Sequence, residues 1–133
     1  MNPEELRERT TQFAHRCVKL GLALPDEILG NHIKRQLIRC ATSVASNYRA
    51  ACLAQSKAHF AAKLSIVVEE ADECAFWMEF SVRENMVSEK RVTPLLSEAQ
   101  ELTAIFVAAR KTTKDRSREF KSDLDSAPII NNP

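Results

Sequence analysis

The sequence predicts an all-α protein: an up-down-up-down antiparallel four-helix bundle with long second and third helices. Three observations predict it. Apolar residues recur at alternating spacings of four and three along four separate stretches, which is the seam of a helix packed in a bundle. Glycine occurs only twice in 133 residues, and nowhere do Val, Ile or Tyr alternate with polar residues as a half-buried strand requires. Turn and capping residues between the four stretches leave short links, so successive helices run antiparallel.

The first helix is expected from Glu4 to Leu22. Its seam is Leu6, Thr10, Phe13, Cys17, Leu20 and Leu24. Pro3 opens it, where a missing N–H does no harm, and Glu4 and Glu5 suit the positive end of the helix dipole. Asp26 is the expected N-cap of the second helix, and Gly30-Asn31 weakens or re-caps its first turn. The seam there is Ile33, Leu37, Cys40, Ala41, Val44, Tyr48, Ala51 and Cys52, flanked by small residues that let helix axes approach closely. Ser56 caps the third helix, which runs to Glu84 on a seam of Phe60, Leu64, Val67, Ala71, Cys74, Met78 and Val82. Ser88 caps the fourth, expected to Lys114, with Val92, Leu95, Leu96, Ala99, Leu102, Phe106 and Ala109 inward and Pro94 tolerated in its first turns. Residues 114–119 have no apolar period and are expected to fray. Residues 1–121 thus form one domain, with 122–133 a mobile tail.

A chain of this length folds without a disulfide or a metal. Its net charge of +1 exerts no global pull on nucleic acid or on an anionic membrane. It has no run of about 18 uncharged apolar residues, so no helix spans a bilayer. The acidic N-terminus lacks the apolar core of a signal peptide, and the expected location is the cytoplasm. The four cysteines fall on the seams as small hydrophobes.

No constellation points to catalysis. The Cys and His residues lack zinc-site spacing, and no Glu-x-x-His motif of a di-iron bundle occurs, so no metal or cofactor is expected. Glu69, Glu70, Asp72 and Glu73 have no nucleophile or oxyanion donor beside them. They read as a solvated face or as ion-pair partners for a neighbouring helix. No catalytic residue and no small-molecule substrate is expected.

The basic residues carry two readings. Lys34, Arg35, Arg39 and Arg49 lie on the second helix, and Arg110, Lys111 and Lys114 begin a cluster near the end of the fourth. Cations at a helix C-terminus follow from the dipole alone. They also suit a phosphate backbone, although no aromatic residues interleave for base stacking. Phe76, Trp77 and Phe80 cannot share one seam with Cys74 and Met78, so they mark either an oligomer interface or a broadened core. Ser43, Ser46 and Asn47 read as inter-helix hydrogen-bonding residues.

The stretch from Gln36 to Glu73 carries a resemblance. Gln36, Arg39, Ala41, Ser43, Ser46-Asn47, Ser56, Phe60, Leu64-Ser65-Ile66 and the acidic run Glu69 to Glu73 resemble the four-helix-bundle proteins encoded in intervening sequences of bacterial 23S ribosomal RNA genes. That family is similar to the accessory variability determinant of diversity-generating retroelements. The resemblance implies a homo-oligomer, with a pentamer as the count in those relatives. It also implies RNA or a reverse transcriptase as partner, and no catalysis. The expectation is therefore a non-enzymatic oligomeric bundle that binds RNA or a nucleoprotein partner through basic helix surfaces. The alternative is a protein-interaction scaffold with no nucleic-acid role.

Overall fold

The structure, a computed structural model, describes residues 1–126. Four helices account for nearly all of them: α1 (Pro3–Leu22), α2 (Ile28–Cys52), α3 (Lys57–Arg83) and α4 (Glu89–Ser126). Each packs along the next in sequence, while α1 and α4 meet only thinly. The result is the expected antiparallel four-helix bundle, with the α2–α3 hairpin at its centre.

The seams face inward as their spacing requires. Phe13, Cys17, Ile33, Cys40, Val44, Leu64, Val67, Cys74, Met78, Leu102 and Phe106 are wholly buried. Thr10 sits among them because its hydroxyl donates to the Leu6 and Arg7 carbonyls, which removes the cost of burying it. Tyr48 and Phe106 meet across the core with ring centroids 5.0 Å apart.

The caps explain most of the boundaries. Asn2 accepts from the Glu5 N–H at 2.8 Å and Ser56 from the His59 N–H at 3.0 Å. At the end of α3, Asn85 adopts φ 58°, the Met86 N–H bonds the Ser81 carbonyl and the Asn85 N–H bonds that of Val82. This is a Schellman cap, with Asn supplying the left-handed residue.

Two boundaries depart from expectation. The N-cap position of α2 is Glu27, whose side chain makes no capping bond, whereas the Asp26 carboxylate accepts from the Asn31 amide. The Pro25 carbonyl folds over the first turn onto Gly30, which shifts the start of α2. At the other end α4 does not stop at Lys114. It continues through Ser126, so residues 122–126 are helical, and the remainder of the expected tail lies outside the described residues.

Candidate nucleic-acid interface

The four seams of the bundle differ in polarity. Two are closed by ion pairs. Between α1 and α4, the Arg9 guanidinium donates to both Glu98 oxygens at 2.6 and 2.9 Å and reaches Glu101 at 3.0 Å. The Glu98 bond is the main reason that Arg9 is held still more firmly protonated than an ordinary arginine. Between α2 and α3, Arg39 pairs with Glu70 at 3.1 Å and with Glu73, and the Trp77 indole N–H donates to Glu73 at 3.1 Å. Glu70 and Glu73 therefore serve as partners for a neighbouring helix, while Glu69 and Asp72 face solvent.

The lower half of the α3–α4 seam is open and cationic. Arg110, Lys114, Arg118 and Lys121 lie at spacings of four, four and three, which puts them on one face of α4. Arg110 Nη1 approaches the Ser65 hydroxyl at 3.4 Å. Below it, Lys57, Lys114, Arg118, Lys121, Ser65 and Ser117 line a groove of about 440 Å³, with no carboxylate in its lining among the described residues. Lys57 Nζ also stands 5.9 Å from the centroid of the exposed Phe120 ring.

The structure gathers only part of the expected basic set. Lys114 lines this groove and Arg110 stands beside it at Ser65, but Lys111 is exposed outside its lining. Lys34, whose ammonium approaches the Asn31 side chain at 3.4 Å, and Arg35 lie toward the opposite end of the bundle, where α2 begins. Arg39 is occupied by its two carboxylates, a pairing that places it in the architecture rather than on an open cationic face. Arg49 lies in a different groove, between α1 and α2. Lys57 was absent from the expected set, whereas Arg118 and Lys121 belong to the basic cluster expected at the end of α4. The one-face spacing of 110, 114, 118 and 121 is the sequence signal that separates these four from Lys111 and Arg116, and only the three-dimensional pairing of helices finds Lys57.

Two other expectations change. The bonds of Ser43, Ser46 and Asn47 stay within α2. Asn47 donates to the Ser43 carbonyl and hydroxyl at 3.0 and 2.8 Å, and Ser46 donates to the Ser43 carbonyl at 3.3 Å. They do not bridge helices, because residues three and four apart on one helix are nearer than any partner across the seam. The aromatic strip divides. Trp77 packs against the core and meets His32 edge-on at 5.5 Å, whereas Phe76 is 52% exposed.

The core thiols pack against one another. Cys40 and Cys74 face each other at 3.1 Å, and the contact between the thiols, together with burial, holds Cys40 strongly toward its protonated form. Among the described residues no group of three His, Cys, Asp or Glu side chains is placed to hold an ion. Nor is any helix long and apolar enough to cross a membrane.

The fold and the ion pairs that tie α1 to α4 and α2 to α3 define an all-α, antiparallel four-helix bundle. The chain belongs to the 23S rRNA-intervening sequence protein family, whose model matches residues 4–108. A solved structure with a TM-score of 0.76 and 27% identity covers 84% of this chain and 99% of its own. It is a protein of unknown function from the S23 ribosomal protein family of Bacteroides thetaiotaomicron VPI-5482. Comparison with curated proteins finds no match. The family match ends at residue 108, so Arg110, Lys114, Arg118 and Lys121 lie beyond it.

Proposed function

We propose that this protein is a non-enzymatic, self-associating helical module that binds RNA along the groove between α3 and α4. The observation that carries the reading is a groove lined by Lys57, Lys114, Arg118 and Lys121 with no carboxylate among them, in a chain whose net charge is only +1. Acidic residues are as common as basic ones in the sequence, so a groove without any is a local arrangement. Membership in a family named for ribosomal RNA intervening sequences agrees with RNA as the polyanion.

A single strand neutralised by four side chains releases counterions with a logarithmic salt slope of about −3, so affinity falls about 50-fold between 50 and 200 mM salt. Filter binding of a single-stranded oligoribonucleotide measures this. Lys114→Glu with Arg118→Glu should abolish most of the binding. Failure of the wild-type protein to retain RNA at 50 mM salt sinks the proposal.

The scaffold reading has its own observation, the partly open aromatic group of Phe76, Trp77 and Phe80, with Phe76–Trp77 centroids 4.9 Å apart. In the proposed assembly this group meets a second copy of the chain. Light scattering of wild type against Phe76→Glu tests it, and a monomeric wild type refutes it. A pentameric count and a reverse transcriptase partner are supported by the resemblance alone.

A further inference from the structure

We infer that the groove between α1 and α2 is a second contact for the RNA backbone, joined to the α3–α4 groove by a cationic track around the end of the bundle where α1 begins. The inference rests on the RNA-binding reading and extends it to residues outside the α3–α4 groove.

The α1–α2 groove encloses about 400 Å³. Arg7, Thr11 and His15 come from α1, and Thr42, Ser46 and Arg49 from α2. Ala14, Ala45 and Val18 form its floor, and these short side chains leave the trough open where longer ones would fill it. No carboxylate lines it. Among the described residues, neither Arg7 nor Arg49 enters an ion pair, in contrast to Arg9 and Arg39 on the sealed seams. The hydroxyls of Thr11, Thr42 and Ser46 donate to carbonyls of their own helices. Those carbonyls already accept the helical N–H, so a hydroxyl that turns toward a phosphate oxygen gives up a secondary bond. Two unpaired guanidiniums and an imidazole around a trough without acids favour an anionic occupant.

The continuity of the track identifies that occupant as an extended polyanion. A third depression lies at the same end of the bundle and includes Tyr48, Gln55, Lys57 and Arg116, again with no carboxylate. Pro3 and Cys52 of this depression stand one helical turn along α1 and α2 from Arg7 and Arg49 of the α1–α2 groove. At the other side, Lys57 and Thr113 belong to both the end depression and the α3–α4 groove. Three depressions free of carboxylates thus follow one another from α1–α2, over the chain end, to α3–α4. A small anion would fill one of them. A nucleic-acid strand can occupy all three, and arginine recurs along the way as the residue suited to phosphate.

The test uses the full chain and a 5′-labelled 20-nucleotide oligouridylate. Arg7→Gln with Arg49→Gln removes two phosphate contacts, so the logarithmic salt slope should become shallower by about 1.4. Affinity at 100 mM salt should fall about tenfold or more. Both side chains are exposed, and an unchanged thermal unfolding midpoint shows that the fold persists. Arg7→Lys with Arg49→Lys should restore most of the slope, since charge alone supplies the counterion release. Wild-type slope and affinity in the glutamine pair, beside lost binding in Lys114→Glu with Arg118→Glu, overturns the second contact and leaves the first groove standing. A lysine pair that restores nothing also overturns it. No binding by the wild-type chain at any salt overturns both.

Discussion

Gly30 and Gly21 are the only glycines, both lie in helices, and replacing them with alanine has opposite consequences. Alanine is favoured over glycine within a helix by about 1 kcal/mol. At Gly21 an added Cβ would meet Ile38 Cγ1 at 3.5 Å, an ordinary contact. At Gly30 it would overlap the Pro25 carbonyl oxygen, a backbone atom that moves only with its loop. Overpacking of that kind costs about 1–3 kcal/mol, which over most of that range exceeds what propensity returns. Gly21→Ala should therefore raise stability by up to about 1 kcal/mol, and Gly30→Ala should lower it by up to about 2 kcal/mol. Urea denaturation of both variants decides the matter, and a stabilised Gly30→Ala would contradict the contact. The sequence shows Gly30 as a helix-weakening residue. It does not show the proline carbonyl seated on it, because that depends on how the α1–α2 loop folds back.

At the scale of elements, α1 is the helix with the weakest hold. It packs well on α2 but thinly on α4, where the Arg9–Glu98–Glu101 group closes the seam. The Arg9 and Glu98 side chains are about one-fifth exposed, 21% and 16%, so their pairing is worth more than a surface bridge and less than a fully buried one. Arg9→Ala should lower stability by about 1–2 kcal/mol, between the surface and the buried limits. Hydrogen exchange gives the sharper check. Amides of α1 should exchange faster in the variant, while those of the α2–α3 hairpin keep their protection. Equal acceleration in all four helices would show that α1 does not detach independently.

Element identity was largely legible because each seam keeps its period over many turns. Cys40, Val44, Leu64, Val67, Ala71 and Cys74 are buried where the spacing puts them. The end of α4 was not legible from periodicity. Residues 114–126 bury little, yet no proline or glycine interrupts them, and the first turns of α3 flank the helix as far as Lys121. The candidate interface was half legible for the same reason. A stripe along one helix can be read from spacing, but a groove needs to know which helix stands opposite.

At the scale of the whole molecule, polarity alternates around the bundle. Ion pairs seal the α1–α4 and α2–α3 seams and tie down Arg9 and Arg39, while the cations of the lower α3–α4 and α1–α2 seams meet no carboxylate among the described residues. The arrangement sets apart an arginine that holds helices together from one available to a ligand, a distinction that counting basic residues misses.

The near-neutral total has a kinetic consequence. With a net charge of +1 the chain casts almost no field beyond a Debye length of about 10 Å, so a polyanion is not drawn in from a distance. Encounter should then proceed at the roughly 10⁵–10⁶ M⁻¹s⁻¹ of unsteered docking. Added salt should act chiefly by shortening the residence time of the bound strand, with little effect on how often the two collide.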